Sequence, residues 1–221
     1  MIESPPPKEI QEYASRAVDY VQRALGLELA YDSDTLPLLD HYLRTVPSDQ
    51  PATVELLALT AGAYFGEVVR RRLGGRWDMS SGPSDALGWR MVLPTGIHFS
   101  PAGFAAAAIV QDDLDDLDTA LDAPPRTRPH LERALERMGD VTVEDYYSLC
   151  GRLDTLEHVH EVLVAVAAKM LGQERGGPGP DDPGDADEPD PETAEQLDGT
   201  GAADTEPTAP APPSDEGERL N

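Results

Sequence analysis

Apolar residues recur at three- and four-residue spacing over most of the first 171 positions, the repeat of helices that each bury one face. Ile10, Ala14, Ala17, Val21, Ala24 and Leu25 form one such stripe, closed by Gly26, which predicts a helix starting at Lys8. Leu36, Leu39, Tyr42 and Leu43 predict a short second helix, capped near Ser33 or Asp34 and stopped before Pro47. Val54, Leu57, Ala58, Ala61, Tyr64, Phe65 and Val68 share a face of a third helix at about residues 50–73. Leu56, Leu59 and Ala63 give that helix a second apolar stripe, so it is expected to be covered on most of its circumference and to lie centrally. Ser48 or Asp49 is its expected N-cap, Pro51 fits its first turn, and Gly74 or Gly75 supplies a left-handed stop.

The period then changes. Arg76-Trp77-Asp78-Met79 alternates, residues 80–85 carry turn chemistry, and Gly88 to Leu93 reads as a strand. Pro94-Thr95-Gly96 suits a type I turn starting at Leu93, which returns Ile97-His98-Phe99 beside the preceding strand. Ser100-Pro101 restarts a helix, as cap and first position, and the Ala-rich run to Val110 continues it. Leu114, Leu117 and Leu121 keep helical spacing beyond that point, whereas the Asp residues among them oppose a helix C-terminus. Pro124-Pro125 is a break, a short helix is expected at about Pro129 to Met138, and Thr142 caps a long final helix to about Leu171. The pattern predicts an α+β fold in which five or six helices surround a small antiparallel sheet near residues 76–99, too small to stand without them.

Charge divides the chain. From Gly172 onward there are 15 acidic residues against Arg175 and Arg219, which places −13 of the formal −25 in the last 50 residues and leaves −12 for residues 1–171. That segment is rich in Pro, Gly, Ala and Thr, lacks aromatics, and contains only Leu197 and Leu220 as apolar residues larger than Ala, so a disordered acidic tail is expected over 172–221. Residues 1–7 read as a Pro-rich leader and 8–171 as a single domain. An acidic body opposes sequence-independent binding to nucleic acid and docking on anionic lipid, because both rest on Lys and Arg. Cys150 is the single cysteine, the N-terminus lacks a basic and then apolar signal pattern, and the run Val162 to Ala168 is too short for a membrane span. A cytoplasmic protein is expected.

Glu67 is the odd residue on the third helix. A carboxylate beside Gly66, on a surface of small side chains, needs a partner if it is buried. Arg70 and Arg71 stand at i+3 and i+4, and the Trp77 indole N–H is a further donor. One reading is an ion pair that fixes the turn after the helix; the other is a functional carboxylate in a cleft. The pattern Gly62-Ala63-Tyr64-x-Gly66-Glu67 followed by Gly74-Gly75-x-Trp77, with Asp34 to Asp40 ahead of it, resembles a motif of certain bacterial domains of unknown function. The likeness covers about residues 30–110 and implies no activity.

Other constellations are singletons. The Asp112–Asp118 run lacks the Gly and Glu of an EF-hand loop and reads as a solvated face. Glu157 and His160 have the E-x-x-H spacing of bundle di-metal sites, but no second copy exists, so His160 reads as a hydrogen-bonded core histidine on the stripe Leu149, Leu153, Leu156, Leu163, Ala167, with His158 pointing away. Cys150, eight residues from His158, has no base on its own helix, although His98 or His41 stays open as one. Arg70, Arg71, Arg72 and Arg76, with Trp77, are the one basic concentration and a candidate binding surface. No metal or organic cofactor is expected. Two functions follow: a non-catalytic protein-interaction domain of the adaptor or immunity-like kind, with a basic partner, or an enzyme using Glu67 with His98 or His160 as acid and base.

Overall fold

The structure, a computed structural model, describes residues 5–114 and 117–175. The expected tail lies outside the described residues from position 176 on, as do the first four residues of the leader. Seven helices are present among the described residues: α1 (Lys8–Leu25), α2 (Leu36–Arg44), α3 (Pro51–Leu73), α4 (Pro101–Val110), α5 (Arg128–Arg137), α6 (Val143–Tyr147) and α7 (Leu149–Arg175). Strands β1 (Arg76–Asp78), β2 (Arg90–Val92) and β3 (His98–Phe99) form an antiparallel sheet in the order β1-β2-β3. The fold is α+β, with the helices in the majority.

Helix α3 is central, as its two apolar stripes require. Every residue from Thr60 to Arg70 is buried, and α1 and α4 pack along it. By length and composition α3 would suffice to cross a membrane, but 67% of its apolar stretch is buried within the domain. Its contact with α4 is close enough that a Cβ on Gly62 would lie 2.6 Å from the Ala102 backbone nitrogen, so glycine is required there. Helix α4 is buried from Pro101 to Ile109 because its Ala residues let neighbours approach from all sides. Phe65, Phe99 and Phe104 join α3, β3 and α4 in one aromatic cluster, with Phe99 stacked on Phe104 at 5.0 Å. The sheet lies against this cluster in the register Trp77 to Met91 to Phe99. The turn after β2 closes with Gly96 N–H donating to Leu93 C=O at 2.9 Å.

Two expectations need correction, and one open alternative is resolved. Helix α3 begins after Gln50 with no side-chain cap, rather than at Ser48 or Asp49; Pro51 at its first position has the helical φ already set and no N–H left unpaired. Helix α4 stops at Gln111, which takes the left-handed conformation, so the Asp-rich segment does not extend it. The expected final helix is two. Thr142 caps only α6, through its hydroxyl to Asp145 N–H at 3.1 Å, and Ser148 then adopts an extended backbone and caps α7.

All four leading N–H groups of α7 are met. Ser148 N–H donates to Asp145 C=O, Leu149 and Cys150 N–H to the two carboxylate oxygens of Asp40 at 2.7 and 3.0 Å, and Gly151 N–H to the Ser148 hydroxyl at 2.9 Å. A buried residue on α2, 109 positions away, thus caps the last helix.

Candidate functional site

The densest stretch of the sequence is accounted for residue by residue by contacts around the C-terminal half of α3. Glu67 is 2% exposed and Arg70 8%. Arg70 Nε donates to Glu67 Oε1 at 2.9 Å and Nη2 to Oε2 at 2.9 Å, a two-pronged pair on one helical turn. The Trp77 indole N–H donates to the same Oε1 at 2.8 Å. Gly66 makes this possible, because a Cβ there would lie 2.3 Å from Trp77 Cζ2 and expel the ring. Gly74, left-handed at φ 76°, turns the chain so that β1 brings Trp77 back over α3. Tyr64 acts on the other side of the helix: its hydroxyl accepts from Tyr31 N–H at 2.8 Å and shares a hydrogen bond with Thr35 Oγ1 at 2.9 Å, which ties down the loop before α2.

The four arginines have different partners, although Arg71 and Arg72 line one small cleft with Tyr31, Asp32, Ser33 and Val68. Arg70 faces inward to Glu67, Arg71 stacks its guanidinium 4.4 Å above the Tyr31 ring, Arg72 Nε donates to Glu157 Oε1 at 2.6 Å, and Arg76 is exposed on β1. Tyr31 holds a positive φ of 58°, a conformation sustained by its bond to Tyr64 and by the stacking of Arg71 and Tyr64 on its ring.

The candidate histidines have separate surroundings. His98 Nδ1 lies 3.3 Å from the Gly96 carbonyl oxygen, and its Nε2 is 3.4 Å from Asp122 Oδ2. Asp122 also accepts from Ala123 N–H and from Arg128, and these bonds hold its carboxyl below the usual range. His160 Nδ1 lies 3.3 Å from Thr95 Oγ1, and burial pushes its imidazole below the ordinary value. The core stripe of α7 runs through Leu149, Leu153, Leu156, Val159 and Leu163. His160 sits half-buried at its edge, Ala167 is exposed, and His158, expected to point away, is itself half-buried with Nε2 out of solvent. Glu157 is engaged by Arg72 and does not meet His160.

Cys150 is half-buried. Burial and the neighbouring Asp40 carboxylate both push its thiol far above the usual range, so it is held as a neutral thiol rather than a nucleophilic thiolate. His41 is exposed. In the Asp-rich segment, Asp118 pairs with Arg90 and Asp113 accepts from Thr119, while Asp115 and Asp116 lie outside the described residues. Among the described residues no three His, Cys, Asp or Glu side chains gather in metal-binding geometry.

Two charged residues that matter escaped the sequence reading, Asp40 and Arg152. Each stands on the apolar stripe of its helix, Asp40 among Leu36, Leu39 and Leu43, and Arg152 among Leu149, Leu153 and Leu156; that misplacement was the signal. Comparison with protein-family models, with curated proteins and with solved structures finds no match for the chain.

Proposed function

We propose that the chain is a non-catalytic protein-interaction domain whose docking surface is the C-terminal half of α7. The observation that carries this reading is exposure. Between Val162 and Leu171 the helix has Lys169 as its single charged residue, yet Val164, Met170 and Leu171 are 49%, 49% and 58% exposed. Apolar side chains placed together on a solvent-facing helix mark a contact with another surface. The segment after Arg175, with only Leu197 and Leu220 larger than Ala among its apolar residues, has little with which to cover it. A second copy would bring together two bodies of charge −12 each over residues 1–171. The occupant that suits both the apolar face and the acidic surroundings is a partner presenting an apolar helix face flanked by Lys and Arg. A cytoplasmic setting belongs to the same proposal.

The alternative, an enzyme using Glu67 with His98 or His160, requires these groups around one reacting atom. Glu67 instead has both oxygens engaged by Arg70 and Trp77, and each histidine contacts a different part of the turn after β2. The test replaces Val164 and Met170 by Lys, which wets the face and repels a basic partner while leaving stability within about 0.5 kcal/mol. A protein retained by the wild-type chain must, once purified, bind wild type, fail to bind the double variant, and weaken as salt is raised. Equal binding to the variant, or a wild-type dimer in sedimentation that the variant abolishes, contradicts the proposal.

A further inference from the structure

A cleft of about 560 Å³ opens between α5, α6, the start of α7 and residues 119–121. Its lining is mainly apolar: Leu121, Leu135 and Met138 are half-buried, and Val141 and Tyr146 are 52% and 42% exposed. Gly139, at a positive φ of 75°, bends the chain between α5 and α6 beside it. Large apolar side chains that line a cleft instead of closing into the core leave surface for a guest to cover, and this volume suits a small molecule.

The charged residues of the lining are Asp145, Asp154 and Arg152. Arg152 is 7% exposed, its guanidinium carbon lies 4.6 Å from the Phe104 ring centroid and 4.2 Å from that of Tyr146, and its Nε and Nη2 are out of solvent. The aromatic faces hold that charge within the wall, where a guest does not reach those N–H groups. The two aspartates are the opposite case, since both are exposed. Asp145 Oδ2 accepts from the Thr142 hydroxyl at 2.7 Å, which uses one of the roughly four acceptor positions of a carboxylate. The lining therefore carries a net charge of one negative, and its accessible charges are carboxylates. An anionic guest meets like charge there, whereas a monocation balances the lining.

We infer that this cleft binds a small organic monocation, a primary alkylamine in its charged form: the ammonium sits beside the exposed carboxylates of Asp145 and Asp154, and its apolar body covers Leu121, Leu135, Met138 and Val141. An alkylammonium brings three donors and no acceptor, the complement of carboxylates, and stays charged at pH 7 as lysine does. The inference is independent of the proposed docking face, which lies on the opposite half of α7.

The test titrates octylammonium, octanol and octanoate into the full chain by calorimetry and follows the Met138 methyl resonance by NMR. Octylammonium is expected to bind saturably at one site and to shift that resonance, about five-fold tighter than octanol, which in turn binds more tightly than octanoate. The preference for the ammonium should shrink as salt is raised. Ethylammonium, the same charge without the body, separates this site from general attraction to an acidic chain and should not saturate over the same range. Asp154→Asn should bring octylammonium to within about two-fold of octanol, and Val141→Lys, which sets a like charge on the lining, should weaken it by about three-fold or more. Both positions are exposed, so neither variant disturbs the core. Octanol or octanoate binding as tightly as octylammonium, an unmoved Met138 methyl, an unchanged preference in Asp154→Asn, or saturation by ethylammonium alike would each overturn the assignment. So would Nα-acetyl-lysine amide binding more tightly than octylammonium, which would point to a peptide side chain, and so would no saturable binding at all.

Discussion

Replacing Glu67 by glutamine exchanges one carboxylate oxygen for an amide nitrogen where the three groups that reach it, Arg70 Nε, Arg70 Nη2 and the Trp77 indole N–H, are all donors. The new NH₂ must face one of them, so at least one charge-assisted hydrogen bond is lost and a donor is set against a donor. Removing one side of a buried ion pair costs about 3–5 kcal/mol, and because glutamine keeps the shape and one acceptor we expect the low end, about 3 kcal/mol. With a urea dependence of about 2 kcal/mol per molar, the unfolding midpoint should fall by roughly 1.5 M with unchanged slope. The corresponding thermal midpoint should fall by about 6–12 °C. A carboxylate held for chemistry at a cost to stability would behave in the opposite way. An unchanged or raised midpoint for Glu67→Gln therefore refutes the structural role and reopens the enzyme reading.

Three further outcomes follow from the same contacts. Gly66→Ala should lose about 2 kcal/mol despite the better helix propensity of alanine, since its Cβ would meet the indole at 2.3 Å, and Trp77 fluorescence should shift to the red as the ring is displaced. Asp40→Asn leaves one acceptor for two N–H groups of α7 and should cost about 1–3 kcal/mol in a denaturant melt; with the carboxylate gone, Cys150 should be alkylated faster at alkaline pH. His160 titrates below its unfolded value of about 6.5, so the unfolded chain gains the proton first: stability should decline as pH falls from that value to the folded pKa, and His160→Gln should flatten the decline in melts across that window.

Helix positions were readable because the apolar stripes of α1, α3 and α4 repeat at helical spacing without interruption, and Gly26, Ser100 and Pro101 mark their ends locally. The partners of Glu67 were also readable, since Arg70 and Trp77 are near in sequence and chemically obliged to meet a buried carboxylate. The break at Ser148 was not. It depends on Asp40, whose two oxygens start α7 from another helix, and no local pattern reports an acceptor 109 residues away. The different partners of the arginines have the same origin: Arg71 goes to Tyr31 and Arg72 to Glu157, and both partners come from distant segments. Arg152 stood visibly out of place among leucines, but its lack of an acceptor is a property of packing alone.

The central claim, that the carboxylate of Glu67 is taken up by the fold, is tested most directly by a double-mutant cycle between Glu67 and Trp77. Trp77→Phe removes the indole N–H and keeps a ring in the space left by Gly66; Glu67→Gln removes the charge that receives it; the double variant removes both. If the 2.8 Å bond is a structural contact, the two effects are coupled, with a coupling energy of about 1–2 kcal/mol in equilibrium urea unfolding. Strict additivity of the two single losses would contradict the account.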